Sequence, residues 1–171
     1  AAAVKDELDQ GRWGIPLHLT VVSGQHFPTY RPAYRDIYYA QHVSGGGAVQ
    51  DGFTHFLDMA QWWVGPIDRI IGDVGHLCLE GVEVEDTVNV LARHGNVMGS
   101  YHFNQYQYPN ESTLTMVCDK GTLCLELFAN RLRTMDRPGG AWEDRCESDF
   151  ERDDGFTDQA NAFLNAVEGQ P

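Results

Sequence analysis

A glycine triplet followed by an amphipathic segment constrains the fold of this chain more than any other feature. Gly45–Gly47 precede apolar residues that recur at helical spacing from Ala48 to Val64, and Gly65-Pro66 ends the pattern. This pattern predicts a long helix with one buried face. The residues expected on that face are Val49, Phe53, Phe56, Ala60 and Trp63. A helix of this kind needs a surface to cover, which the remainder of the chain has to provide.

The segments around this helix have the character of strands. Apolar runs separated by turn residues predict strands at 16–23, 68–79, 87–93, 97–107, 112–118, 122–128 and 131–135. Further helices are predicted at 2–10 and 157–167. We therefore expect an α+β fold, in which helices pack on one face of a mixed, antiparallel-rich sheet and leave the other face open. The length fits a single domain over residues 1–171.

The charge balance disfavours several classes of partner. A formal net charge of −13 argues against nucleic acids and anionic membranes, which bind basic surfaces. The apolar runs are far shorter than the ~20 residues of a membrane span, and no signal peptide is visible, so we expect a cytoplasmic location. The acidic stretch at 143–154 is expected to be exposed to solvent, as are Glu83, Glu85 and Asp86.

The four cysteines indicate free thiols. None forms a CxxC pair, which argues against a structural zinc site. A two-residue turn at 120–121 would pair Cys118 with Leu123 and Cys124 with Val117. The two thiols would then lie on opposite faces of the sheet, where they cannot form a disulfide.

The helix after the glycine triplet carries polar side chains that suit proton transfer. Asp51, His55 and Asp58 are spaced at i, i+4 and i+7 and therefore share one face. An acid one turn from a histidine can orient the imidazole. Other interpretations stay open: Asp51 complements the helix dipole, His55 is a satisfied partner of either acid, or the pair binds a metal with another histidine. The glycines could also cradle a phosphate, although they lack the spacing of a dinucleotide fold.

The segment GGGAVQDGFTHFLDMAQWWVGP resembles the central segment of the C-terminal domain in the Gfo/Idh/MocA oxidoreductase family, where a GGG turn precedes a D-x-x-x-H helix. Three further stretches agree in order and spacing: Val84-Glu85-Asp86-Thr87 at the start of a strand, Cys118–Leu123 as a hairpin, and Phe156–Gly169 as the closing helix. The opening Leu8–Val22 is also similar to the segment that enters this domain. One departure is Phe53, where many relatives have glycine.

The resemblance implies that the chain is the substrate domain of an NAD(P)-dependent oxidoreductase that acts on a sugar, a polyol or a related hydroxy compound. It implies that His55 is the general base and that Asp51 binds the substrate or steers His55. Four residues just before the glycines are expected to line the substrate pocket: Tyr30, Tyr34, Tyr39 and His42.

The family's N-terminal Rossmann domain binds NAD or NADP and carries a catalytic lysine in an E-K-P motif, and neither its glycine fingerprint nor that motif occurs in this sequence. We therefore expect this chain alone to bind no cofactor and to be inactive, and we expect no metal site. Copies are expected to form a homo-oligomer through the open face of the sheet. The alternative is a non-catalytic module that binds a ligand or drives assembly.

Overall fold

The structure is a computed structural model that describes residues 1–147 and 152–169. Its strands are β1 (Pro16–Gly24), β2 (Arg69–Gly75), β3 (Thr87–His94), β4 (Val97–Asn104), β5 (Glu111–Cys118), β6 (Gly121–Glu126), β7 (Arg131–Met135) and β8 (Glu143–Glu147). Its α-helices are α1 (Ala2–Asp9), α2 (Phe27–Tyr30), α3 (Thr54–Val64) and α4 (Arg152–Val167). A π-helical turn over Val49–Phe53 leads directly into α3. Short 3₁₀ turns occur at Pro32–Arg35, Tyr38–Ala40, His42–Ser44 and Leu127–Ala129.

All eight strands form one sheet in the order β2-β3-β4-β1-β5-β6-β7-β8. Strands β1 and β4 are parallel, and every other neighbouring pair is antiparallel. Short turns explain the pairs β3–β4, β5–β6 and β6–β7, since strands that follow each other closely in sequence can form hairpins, whereas β1 and β5 pair across most of the chain. The predicted α+β fold with a mixed, antiparallel-rich sheet is confirmed.

The main hydrophobic core lies between one face of the sheet and α3. Phe53, which begins this contact, meets the ring of Tyr101 edge-on with centroids 6.1 Å apart. Phe56 packs against Phe103 with centroids 5.8 Å apart. Phe53, Phe56, Ala60 and Trp63 are buried as predicted, and Val49 is partly buried. Because Phe53 faces this core, it does not occupy the surface beside Asp51.

The opposite face of the sheet is open. Residues that point to this side line up across neighbouring strands, and one such row consists of Ile71, Leu91, Ser100, Thr20 and Thr115. A groove of about 390 Å³ runs over this face. All helices were predicted to pack on one face of the sheet, but α4 does not bury its apolar residues. The exposed residues are Phe156, Phe163, Leu164 and Val167.

Some element boundaries differ from the sequence-based prediction. Strand β8 was not predicted, because its charged sequence hides the strand character that its pairing with β7 reveals, whereas its residues Glu143 and Asp144 are exposed as predicted. Residues 76–79 do not continue β2, because their backbone turns around the carboxylate of Asp86. Helix α4 begins at Arg152, earlier than predicted. None of the helices within residues 1–147 and 152–169 combines the length and apolar character that a membrane span requires.

The carboxylate of Asp86 is fully buried instead of exposed. It accepts hydrogen bonds from the backbone N–H groups of Leu77 (3.0 Å), Cys78 (2.8 Å) and Leu79 (2.8 Å), and from the hydroxyl of Thr87 (2.7 Å). The prediction of solvent exposure was therefore wrong for Asp86, because a loop of the chain folds over it. It was also wrong for Glu85, whereas Glu83 is exposed as predicted.

The cysteines of the β5–β6 hairpin are free and lie on opposite faces of the sheet, as expected. The predicted register was wrong by two residues, because the turn is at 119–120 and Cys118 pairs with Gly121 while Cys124 pairs with Thr115. A shift of two residues keeps every side chain on the same face, so the conclusion about the disulfide holds. Burial raises the pKa of the Cys118 thiol to about 11, with a smaller contribution from the charge of Asp119.

Candidate active site

The glycine triplet brings the π-helical turn close to the sheet edge. Gly47 has a φ of +93°, and a Cβ atom there would lie 2.6 Å from the carboxylate of Glu85. A Cβ on Gly52 would lie 2.6 Å from the ring of Phe103. These contacts require glycine, and they seat the turn directly on β4. Hydrophobic periodicity predicted a regular helix here, whereas π-helical turns are rare and are frequent at functional sites.

The backbone N–H groups of the triplet are already used within the protein. The five consecutive donors from Gly45 to Val49 bond to the carbonyls of His42, Gln41, Tyr39 and Glu85 and to the Glu85 carboxylate, at 2.8 to 3.2 Å. A phosphate cradle needs free N–H groups that converge on the anion. The glycines therefore position the turn, and the interpretation as a phosphate cradle was wrong.

Asp51 lies in this turn, and three side chains from other segments surround it. Arg31 Nη1 donates to both carboxylate oxygens, at 3.3 Å and 3.2 Å. The Tyr38 hydroxyl donates to Oδ1, and Gln105 Nε2 donates to Oδ2 at 3.4 Å. We call Asp51, Arg31, Tyr38 and Gln105 the Asp51 cluster. The carboxylate is 5% exposed, and each of its oxygens accepts two hydrogen bonds.

Two tyrosines keep the donors of the Asp51 cluster in place. The hydrogen bond to Asp51, followed by burial, raises the pKa of Tyr38, so the hydroxyl remains a donor at neutral pH. Tyr39 is fully buried and donates its hydroxyl to Gln105 Oε1. Burial raises the pKa of Tyr39 as well. Because Oε1 of Gln105 is engaged, the amide NH₂ group is directed to Asp51.

His55 lies one helical turn after Asp51 and is exposed. Its imidazole makes no hydrogen bond or ion pair with any residue in the described part of the chain. Asp51 belongs to the π-helical turn and His55 to α3, four residues later in the same helical segment, and no hydrogen bond joins these two described side chains. Asp58 is exposed one further turn along α3. The arrangement leaves a free imidazole available to an external ligand, next to a buried and ordered carboxylate.

The four residues predicted to line the pocket have different environments. Tyr30 is exposed, and His42 is exposed while its Nε2 lies 3.3 Å from Oε2 of Glu85. Tyr34 and Tyr39 are instead buried in the smaller hydrophobic cluster, together with Phe27. The Tyr34 hydroxyl donates to the carbonyl of Glu80 at 2.7 Å. These two tyrosines therefore cannot contact a substrate in this fold, because their rings build the core and their hydroxyls are engaged.

The prediction missed three members of the Asp51 cluster: Arg31, Tyr38 and Gln105. Arg31 and Tyr38 lie in an irregular segment without periodicity, which gives no indication of where side chains point. Gln105 did carry a usable signal. It follows Tyr101 and Phe103 at two-residue spacing and so occupies the buried side of the sheet, where a polar group needs partners. Within the described residues, no three histidine, cysteine or acidic side chains converge as metal ligands.

The family model of the GFO/IDH/MocA C-terminal domain matches residues 1–124, well over half of the 171 residues. The chain belongs to the Gfo/Idh/MocA family. The D-x-x-x-H helix and the glycine triplet that carried the resemblance are the elements that build the candidate site.

Solved structures share this fold. One is the WlbA dehydrogenase from Bordetella pertussis in complex with NADH and UDP-GlcNAcA (25% identity, TM-score 0.73), where the match covers 99% of this chain and 50% of that one. An oxidoreductase from Thermotoga maritima gives 17% identity and a TM-score of 0.77, with 99% and 50% covered. A levoglucosan dehydrogenase in complex with NADH has 20% sequence identity and a TM-score of 0.70, and the match covers 83% of this chain and 42% of that one. The chain thus spans about half the length of these structures. A search of curated proteins found no match.

Proposed function

We propose that this chain is the substrate domain of an NAD(P)-dependent oxidoreductase that acts on a sugar, a polyol or a related hydroxy compound. The observation that carries the proposal is the free, exposed imidazole of His55, one turn after the buried carboxylate of Asp51. Imidazole is the side chain best suited to exchange protons near neutral pH. The WlbA and levoglucosan dehydrogenase structures, with their sugar ligands and NADH, support the substrate class and the cofactor class.

In the proposed reaction, His55 takes the proton of the substrate hydroxyl while the carbon that bears it loses a hydride and becomes a carbonyl. A nicotinamide held outside this chain supplies the hydride acceptor. The negative charge of Asp51 lies one helical turn before His55. The Asp51 cluster keeps that charge fixed, since Arg31, Tyr38 and Gln105 all hold the carboxylate. In the reverse direction, the imidazolium returns the proton to the alkoxide.

The residues of this chain do not fit a dinucleotide. The N–H groups of the glycine triplet are bonded within the protein, and the sequence has no dinucleotide fingerprint. We therefore place the cofactor site in another domain of the complete protein. Titration of the 171-residue chain with NADH, followed by fluorescence, should show no binding in the micromolar range; micromolar binding would contradict this placement.

Activity is tested in the complete protein that contains this chain. We expect reduction of NAD⁺ or NADP⁺ with at least one member of a panel of aldoses, polyols and sugar acids. The chain alone, at the same concentration, should give no reduction. If the complete protein binds NADH but oxidises no member of the panel, the oxidoreductase proposal fails, and the alternative of a non-catalytic binding module is favoured.

We also propose that the open face of the sheet joins copies of the chain. Ile71 and Leu91 are exposed neighbours on β2 and β3, and Met98 lies nearby on β4. Exposed apolar patches of this kind are typical of association surfaces. Light scattering should show a dimer or a larger oligomer that Leu91→Lys dissociates, whereas Leu164→Lys on α4 should leave its mass unchanged. A monomer at high protein concentration would contradict the proposal.

A further inference from the structure

We propose that Arg31 binds an anionic group of the substrate, so that the substrate is a sugar that carries a carboxylate or a phosphate. The inference rests on the function proposed above, because it places the anion relative to His55. It goes further by naming the charge class of the substrate and the residue that selects it.

The geometry of the Arg31–Asp51 pair leaves part of the guanidinium free. Arginine–carboxylate pairs often use two nitrogens in a parallel fork. Here a single nitrogen, Nη1, reaches both oxygens of Asp51, at 3.3 Å and 3.2 Å. Among the residues that the structure describes, the Tyr38 hydroxyl is a further polar neighbour of the guanidinium, and Nε and Nη2 of Arg31 form no hydrogen bond to a carboxylate or a carbonyl. This edge of the guanidinium can therefore form two parallel hydrogen bonds to a carboxylate or a phosphate.

The guanidinium is held in position before any ligand arrives. Its central carbon lies 5.0 Å from the centre of the Phe27 ring, which is buried. The backbone of Arg31 is fixed as well, because its N–H donates to the Phe27 carbonyl at 2.8 Å and its carbonyl accepts from the N–H of Tyr34 at 2.9 Å. The side chain is nevertheless 46% exposed. A fixed but accessible donor loses little conformational entropy when it binds an anion.

The surrounding charges allow this role for Arg31. Asp51 also accepts from Tyr38 and Gln105, so the carboxylate keeps partners when Arg31 turns part of its charge to a ligand. Two other basic side chains are engaged elsewhere: Arg35 donates from Nε to the Glu80 carbonyl at 2.7 Å, and Nε2 of His42 lies 3.3 Å from the Glu85 carboxylate. With a net charge of −13, the protein as a whole repels anions. A local cation with open donors is therefore needed to bind one.

The placement of the two residues allows an anionic group on the same sugar as the reacting hydroxyl. Arg31 contacts Asp51, and His55 follows Asp51 by four residues in the same helical segment. A hexose with a carboxylate or phosphate on its terminal carbon carries both groups on one molecule. Such a substrate can place a ring hydroxyl at His55 and its anion at Arg31.

The test compares matched sugars in the complete protein. Glucuronate, glucose 6-phosphate and glucose are offered as probes with the cofactor that supports turnover. We expect kcat/KM for one anionic sugar to exceed that for glucose at least tenfold. We expect Arg31→Met to raise KM for that sugar about tenfold or more, and to lower kcat/KM for that sugar at least tenfold more than it lowers kcat/KM for glucose. Arg31→Lys keeps the charge but lacks the two parallel donors of the guanidinium, so its KM for the anionic sugar should lie between those of the unsubstituted protein and Arg31→Met.

Arg12→Met is the matched control, because Arg12 is also exposed and also stacks over an aromatic ring, that of Trp13 at 4.7 Å, but has no contact with the Asp51 cluster. Arg12→Met should leave kcat/KM unchanged for the anionic sugars and for glucose. The proposal is overturned if glucose is used as well as the anionic sugars, or if Arg31→Met affects all three sugars equally. A protein that oxidises none of many sugars instead contradicts the oxidoreductase function.

A binding experiment tests Arg31 even if no turnover is found. In the ¹⁵N-labelled chain, the Nε–H resonance of Arg31 should shift on addition of glucuronate or glucose 6-phosphate and should not shift with glucose at the same concentration. The Nε–H resonance of Arg12 should be unaffected by all three. Equal behaviour of Arg31 with charged and neutral sugars, or no shift at all, would refute the anion site.

Discussion

Two of the carboxylates that this chain buries, those of Asp86 and Asp51, have opposite kinds of partner. Asp86 accepts from three backbone N–H groups and one hydroxyl, all within nine residues of it in sequence. Asp51 accepts only from side chains, and these come from distant segments. Backbone donors fix a loop, whereas side-chain donors that include a cation fix a charge at the surface. The comparison assigns Asp86 to the fold and Asp51 to the site.

The two carboxylates also differ in what lies beside them. Burial by itself would raise the pKa of Asp86, but the hydrogen bonds from Leu79, Cys78, Thr87 and Leu77 outweigh it and lower the pKa below its ordinary value. The partly exposed His76 lies beside this carboxylate, with Nε2 3.8 Å from Oδ2. Asp51, in contrast, is followed by an exposed histidine and covered by a half-exposed arginine. A ligand near Asp51 can therefore meet both an imidazole and a guanidinium.

The largest effect on stability is expected from Asp86→Asn. An asparagine accepts with one oxygen only, so either the Leu77 N–H or the N–H groups of Cys78 and Leu79 lose their acceptor and face the amide NH₂ group, and each buried unsatisfied group costs about 1–3 kcal/mol. We expect the free energy of unfolding to fall by about 3 kcal/mol, measured by urea denaturation. Asp73→Asn on the exposed strand β2 is the control and should change it by less than about 0.5 kcal/mol. Equal effects of the two substitutions would show that the Asp86 loop is not a stability element.

The same carboxylate should make the protein sensitive to acid. Its folded-state pKa is lowered, so its contribution to stability is fully present above the unfolded value of about 3.9 and is lost as the pH falls through the lower folded value. Urea midpoints measured between pH 6 and pH 2.5 should therefore decline below about pH 4 in the unsubstituted protein. In Asp86→Asn this part of the decline should be missing. An identical pH dependence in both proteins would contradict the lowered pKa.

Asp51→Asn should have a small effect on stability and a clear effect on activity. The arginine that it pairs with is half exposed and can be solvated, so we expect a loss of about 1 kcal/mol in the free energy of unfolding. Turnover of the complete protein should fall at least about tenfold, which corresponds to about 1.4 kcal/mol of lost charge stabilisation. If Asp51→Asn instead costs as much stability as Asp86→Asn and leaves turnover intact, the two carboxylates have the same structural role.

The sequence predicted the parts of the molecule that obey a simple period. The buried face of α3 and the strands β1 and β3 to β7 follow apolar repeats, because burial in the core imposes them. Strand β8 could not be found in this way, since its charges lie at an edge of the sheet. The π-helical turn was missed because one widened turn changes the hydrogen bonds and barely changes the apolar spacing.

The candidate site could be predicted only in part. His55 and Asp51 were visible because helical spacing alone places them on one face. The partners of Asp51 come from an irregular segment and from the residue after β4, and only tertiary structure brings them together. The error for Tyr39 has the same origin, because a tyrosine near the glycines suggested a pocket. Its ring instead fills the smaller hydrophobic cluster, and its hydroxyl donates to Gln105, which in turn binds Asp51.

The central claim is that His55 exchanges the proton of the substrate hydroxyl, and His55→Ala in the complete protein tests it most directly. Because a general base typically contributes about 100-fold or more, kcat should fall by at least that factor. Since the cofactor is held elsewhere, the dissociation constant for NADH should be unchanged. Turnover within tenfold of the unsubstituted protein, with normal NADH binding, would contradict the account.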